Sequence, residues 1–143
     1  MFSEPDNEPP QKIRLWQQNI NRSQMGQQEM LNTISPKLID IIAIQEPWKN
    51  AINNYSTATT SWRLVYPTTH LTNPEYTRSL LLISSSLSTN CWSILNINSP
   101  DITAIQVTMS DKIIWIFNVY VDCLHDEALS VLKTSIQTMR QML

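Results

Sequence analysis

The sequence predicts an α/β fold, and three observations carry that prediction. Residues 39–48 form an apolar, β-branched run through Ile41, Ile42, Ala43 and Ile44 that stops at Gln45-Glu46-Pro47. Such a run reads as an interior strand covered on both faces. Upstream, residues 13–19 begin with apolar and polar positions in alternation, and Ser23 stands where it can cap a helix over 24–35. Downstream, five further strand-like runs lead to an amphipathic helix that starts at Asp126.

Taken in order, residues 1–11 hold Pro5, Pro9 and Pro10 among charges with little to bury. They are expected to be a disordered leader, with the folded domain over 12–143. In the first helix Met30, Leu31 and Ile34 make the apolar stripe, and Pro36 ends it or follows its end. A strand, helix, strand crossover makes 13–19 and 39–48 parallel neighbours with their carboxyl ends on one edge. That geometry brings Asn19 and Glu46 to the same rim. Pro47 cannot continue a ladder, so the chain turns there and leaves the carboxylate exposed to a ligand. Open α/β sheets hold their ligands at the carboxyl ends of strands. Glu46 is therefore a candidate metal ligand or base.

Residues 49–61 read as a loop, 62–66 as a short strand stopped by Pro67, and 67–78 as a polar loop holding His70, Glu75 and Tyr76. The runs 79–84, 91–97, 101–109 and 113–120 have short polar links, which favours an antiparallel meander. From Asp126, the residues Leu129, Leu132, Ile136, Met139 and Leu143 recur at spacings of three and four, as one face of a helix does.

Composition removes several classes of function. The chain has 143 residues, 42% of them hydrophobic and 15% charged, enough for one domain with a real core. A net charge of -2 gives no global footprint for nucleic acid. Cys91 and Cys123 lack metal-ligand spacing, and two thiols suit a reducing, intracellular compartment. No run approaches the roughly 20 apolar residues of a membrane span, so no membrane partner is expected. Gly26 is the single glycine. A glycine-rich phosphate loop or dinucleotide fingerprint needs several, so both are excluded. Phosphate chemistry in this chain must rest on side chains and a metal, and turns must be built from Pro, Asn, Asp and Ser.

The series Gln17-Gln18-Asn19, then Asp40 through Gln45-Glu46-Pro47-Trp48, then Arg78-Ser79-Leu80-Leu81-Leu82-Ile83, then Asn118-Val119-Tyr120, resembles the endonuclease/exonuclease/phosphatase family. More narrowly it resembles the apurinic-type endonuclease domain of non-LTR retrotransposons of the fungal kind. The likeness covers 13–143, and the Gln-x-Asn and Gln-Glu-Pro-Trp strands are specific as a pair. The resemblance implies a four-layered α/β sandwich, two packed sheets between helices. It implies metal-assisted hydrolysis of a phosphodiester by an in-line water, with Mg²⁺ (or Mn²⁺) as cofactor. By position, Glu46 matches the metal-binding glutamate, Asn19 the asparagine that organises metal and phosphate, and Tyr120 the tyrosine near the scissile phosphate; all three are the expected catalytic residues. Arg78 is the expected substrate-binding residue. The implied partners are DNA and a reverse transcriptase domain downstream, and the implied location is the nucleus.

The family's Gly-Asp-x-Asn strand and late Asp-His pair have no match after Tyr120. The expectation is therefore an N-terminal half of the domain, a truncated copy that is inactive alone. Two alternatives stand beside the nicking endonuclease: a non-catalytic remnant or binding fragment, and a phosphatase or phosphodiesterase of the same superfamily. Each residue also has a plainer reading: Glu46 as a solvated carboxylate, Asn19 as a turn residue, Tyr120 as a strand-end aromatic, Arg78 as a solvated loop arginine. His70 and His125 are expected at the surface, Trp48 and Trp115 in packing, and Trp62 and Tyr55 in or near loops that could reach DNA.

Overall fold

A computed structural model describes residues 8–57, 59–122 and 124–142. Most of the expected leader, and also Cys123 and Leu143, lie outside them. Two sheets pack face to face and each carries one helix on its outer face, so four layers stack in the order helix, sheet, sheet, helix.

The first strand, β1, is Leu15–Asn19, and the first helix, α1, is Gln24–Thr33. Ser23 caps the helix as its spacing predicts, its hydroxyl accepting from the Gly26 N–H at 3.0 Å. The chain's one glycine thus serves a helix start and not a turn. The interior strand β2, Ile41–Gln45, is buried at every position and runs parallel to β1 in the register Asn19↔Gln45. The short strand β3, Trp62–Val65, and the strand β4, Ser79–Ser84, complete the first sheet in the order β1-β2-β4-β3. The second sheet is an antiparallel meander of β5 (Trp92–Leu95), β6 (Ile102–Thr108) and β7 (Ile113–Val119), and Glu127–Gln141 forms α2.

Strand alternation builds the layers. On one face of the first sheet Ile42, Ile44, Leu80 and Leu82 pack with Met30 and Leu31 of α1. On the other, Ile41, Ala43, Leu81 and Ile83 pack with Ile105 and Val107 of β6. Ile102 and Ala104 turn outward to Ala128, Val131, Leu132 and Met139 of α2.

Four expectations need correction. The meander holds for β5 to β7, but β4 leaves it and pairs antiparallel with both β2 and β3. Its Leu80-Leu81-Leu82-Ile83 run is apolar on both faces, which only an interior strand between a helix layer and a second sheet can bury. Trp62, the first residue of β3, cannot reach outward from the neighbouring loop: it is 2% exposed and packs with Ile42 and Leu80. His70 is not at the surface; it is 6% exposed, stacked on Tyr66 at 4.2 Å and hydrogen-bonded to Thr77 Oγ1 at 2.6 Å. Leu129 is off the packing face of α2 and 47% exposed, because the inward row starts one residue earlier, at Ala128.

Candidate functional site

The connectivity sends four chain segments to one end of the sandwich. The carboxyl end of β2 delivers Glu46, and the antiparallel β4 enters at the same end behind Arg78. Asp101 precedes β6, and Tyr120 follows β7. Main-chain bonds draw these segments together. The Glu46 N–H donates to the Arg78 carbonyl at 2.9 Å, the Arg78 N–H to Pro100 at 2.9 Å, and the Tyr120 N–H to Asp101 at 2.8 Å.

The result is an open cavity of about 760 Å³ lined by Glu46, Arg78, Asp101, Tyr120 and Asp122 among others. Tyr120 Oη donates to Glu46 Oε1 at 2.6 Å. The Arg78 guanidinium carbon lies 4.9 Å from the Tyr120 ring centroid, a cation–π contact. Arg78 also grips Asp101 in a two-pronged bond, Nε to Oδ1 at 2.7 Å and Nη2 to Oδ2 at 2.8 Å, while Nη1 donates to Asp122 Oδ2 at 3.0 Å. His125 Nδ1 lies 3.4 Å from the same Asp122 oxygen, and its side chain is 62% exposed. As expected, His125 is a surface residue; it also lines the cavity.

Electrostatics follow from these pairings. The hydrogen bond to Glu46 pushes the Tyr120 phenol above its ordinary value. A bond from the Leu124 N–H, and then the one from Arg78, hold Asp122 below the usual carboxylate range. Lys49, whose ammonium donates to the carbonyls of Pro74 and Glu75, is lowered by burial. Five acidic side chains (Glu46, Glu75, Asp101, Asp122, Glu127) line the cavity against three basic ones (Arg22, Lys49, Arg78). A phosphodiester meets net repulsion there unless a cation accompanies it.

The backbone at Glu46 is unusual. Its φ is 50°, in the left-handed region, although the side chain is not glycine and proline follows. A residue before proline ordinarily sits in extended regions. This conformation turns the chain out of β2 and costs about 1 kcal/mol. The turn is secured from both sides: Arg22 N–H donates to the Glu46 carbonyl at 2.8 Å. Behind it the buried Gln27 of α1 accepts from the Trp48 N–H at 2.9 Å and donates to Ser56 Oγ at 2.6 Å.

Of the predicted residues, the structure unites Glu46, Arg78 and Tyr120. Asn19 stands on the adjacent strand end, where its Oδ1 accepts from the Asn21 N–H at 2.8 Å, an Asx turn. It lines a neighbouring crevice of β1, β2 and β7, which shares Tyr120 with the cavity that holds Glu46. Sequence reasoning missed Asp101 and Asp122, which lie 23 and 44 residues from their arginine and carry no local motif. It also missed Gln27, although a glutamine three residues before Met30 on the apolar stripe was a readable signal.

Among the described residues, no three His, Cys, Asp or Glu side chains converge on a point that would hold a metal. Glu46 does offer one carboxylate whose Oε1 is oriented by Tyr120. Magnesium ordinarily binds through one or two carboxylates, keeping waters and taking substrate phosphate, so a single-glutamate site fits that ion. When bound, it would neutralise phosphate charge in this acidic cavity.

Among solved structures, the chain is similar to the endonuclease domain of TRAS1, a telomere-specific non-LTR retrotransposon, with a TM-score of 0.65. The two share an α/β fold of two packed sheets. The sequences are 14% identical, and the match covers 90% of this chain and 54% of the other, so the chain spans about half that domain's length. No protein-family profile and no curated protein sequence matches it.

Proposed function

We propose that this chain supplies the glutamate–arginine–tyrosine side of a metal-assisted phosphodiesterase site, as in an endonuclease that nicks DNA for retrotransposition. The observation that carries the reading is the contact of Tyr120 with Glu46 at the end of a buried strand, with Arg78 beside the tyrosine ring. In this reading Glu46 takes Mg²⁺ or Mn²⁺. Tyr120 orients that carboxylate and presents its phenol to the phosphate. Arg78 meets a phosphate oxygen on exchanging Asp122 for it. Asn19 faces the substrate from the adjoining rim. DNA is the substrate, a reverse transcriptase domain the expected companion in a full element, and the nucleus the place of action.

The test has two arms. Mn²⁺ binding, followed by electron paramagnetic resonance, is expected for the wild type and lost in Glu46→Gln; equal binding by both would sink the metal assignment. Nicking of supercoiled plasmid in Mg²⁺ is the second arm. From this chain alone we expect none, because the other cavity aspartates are held by Arg78 and, among the described residues, no three acidic, His or Cys side chains converge to hold a metal. Nicking abolished by Glu46→Ala would show instead that the site is sufficient as it stands. The same locked arginine favours a second reading, a non-catalytic remnant, which predicts neither nicking nor DNA retention in the absence of a divalent cation.

A further inference from the structure

We propose that Asn118 is the positioning residue of this site, an amide that sets three strands in the register that brings Glu46, Arg78 and Tyr120 together. It is 3% exposed, and its side chain makes three of its four possible hydrogen bonds across the gap between the sheets. Nδ2 donates to the carbonyl of Ile44 at 2.8 Å and to that of Leu80 at 2.7 Å. Those two residues face each other across β2 and β4. Oδ1 accepts from Gln45 Nε2, and Gln45 in turn accepts from Gln17 Nε2 of β1. The main-chain carbonyl of Asn118 accepts from Ser79 Oγ at 2.8 Å, and Thr103 Oγ1 of β6 donates to the Ser79 carbonyl at 2.9 Å.

The spacing gives this cluster its consequence. Ile44 is two residues before Glu46, Leu80 is two after Arg78, and Asn118 is two before Tyr120. Two residues is one strand repeat, about 6.6 Å, so all three site residues stand one repeat from a single side-chain amide. Elsewhere the sheets meet through Ile41, Leu81, Ile105 and Val107, and such apolar contact is non-directional. The amide is directional. A slip of one residue moves β7 by about 3.3 Å, which would take Tyr120 Oη out of hydrogen-bonding range of Glu46.

The assignment rests on reading the three residues as one site, but its test needs neither metal nor nuclease activity. The metal-free 143-residue chain is labelled with ¹³C-tyrosine, and its four tyrosines are followed by NMR, Tyr120→Phe identifying the Tyr120 signal. In Asn118→Leu, of similar volume, the Tyr120 signal is expected to move while those of Tyr55, Tyr66 and Tyr76 stay. A crystal structure of the variant is expected to show the Tyr120–Glu46 contact opened beyond 3.5 Å. A variant that unfolds cooperatively with the Tyr120 signal and the contact unchanged would overturn the proposal and leave Asn118 a core-filling residue. If Asn118→Leu does not fold, Ser79→Ala decides, since it releases only the Asn118 carbonyl. A smaller displacement of the same signal supports the proposal, and a signal identical to the wild type overturns it. Loss of Mn²⁺ binding by the wild type would refute the metal reading and leave these outcomes untouched.

Discussion

The two ends of the four-stranded sheet use the same chemistry for different ends. Where β1 and β2 begin, Arg14 bonds Asp40 through Nε at 3.1 Å and Nη2 at 3.0 Å, and its own N–H donates to the same carboxylate at 2.7 Å. Where β2 ends and β4 begins, Arg78 holds Asp101 with the same two prongs. The Arg14 pair closes a parallel crossover on regular strand starts. The Arg78 pair stands beside a left-handed glutamate, under a tyrosine ring, in a cavity with more acid than base. Regular backbone and a single carboxylate mark a joint. Strained backbone and a surplus of acid set the second end apart.

The largest expected effect comes from removing the second arginine. Arg78→Ala leaves Asp101, 8% exposed, and Asp122 without their counter-charge and frees one face of Tyr120. The Arg78 side chain is 40% exposed, so solvent screening reduces the loss to about 1–2 kcal/mol. Urea unfolding measures it, and a loss no greater than that of Arg14→Ala would erase the distinction between the two ends. Next in size is the strain itself. Glu46→Gly accepts a φ of 50° without penalty, whereas Glu46→Ala retains it. The glycine variant is expected to be more stable than the alanine variant by about 1 kcal/mol. The same pair at Asp40, on regular backbone, should favour alanine. Equal midpoints for the two Glu46 variants would show that the turn stores no strain.

Much of the scaffold was legible because it depends on local pattern. The β2 run, the Ser23 cap and the spacing in α2 each record one segment's own burial, and the crossover rule then places Asn19 beside Gln45 without further information. What failed depends on distant partners. Trp62 is bounded by polar loop residues, yet it is buried by Ile42 and Leu80, which no local window contains. The carboxylates of Arg78 are similarly remote. The left-handed turn at Glu46 had no glycine to announce it; Arg22 and Gln27 secure it from another part of the chain. Glu46 and Tyr120 became candidate site residues together only through motif resemblance. Their mutual hydrogen bond depends on two sheets meeting, which periodicity within a strand does not encode.

A smaller effect separates burial from pairing. His70 belongs to neither end: burial first, then the charge of Lys49, lowers its pKa from 6.5, and its Nε2 has no partner among the described residues. The unfolded chain therefore takes up a proton at higher pH than the folded one. Stability is fully present above about 6.5 and declines as pH falls from there toward the folded value. His70→Phe keeps the stack on Tyr66 and removes this proton uptake. The fall in melting temperature between pH 7 and pH 5 is expected to be shallower in the variant, and an unchanged slope would place the acid sensitivity elsewhere.

The smallest effect is expected at the other end of the sheet. The Arg14 side chain is 38% exposed, and Asp40 keeps a bond from the Arg14 main-chain N–H whatever the side chain. Arg14→Ala therefore leaves no carboxylate orphaned, only a weaker clasp at the start of the crossover. Its cost should be less than that of Arg78→Ala, and it should shrink further as salt screens the pair. The Arg78 cluster joins two carboxylates, one of them buried, and should keep most of its contribution in the same salt. Denaturation of both variants at low and high ionic strength separates the cases. Parallel salt dependence would mean that the guanidinium beside Tyr120 is an ordinary surface pair, and that the cavity owes its arrangement to the strands alone.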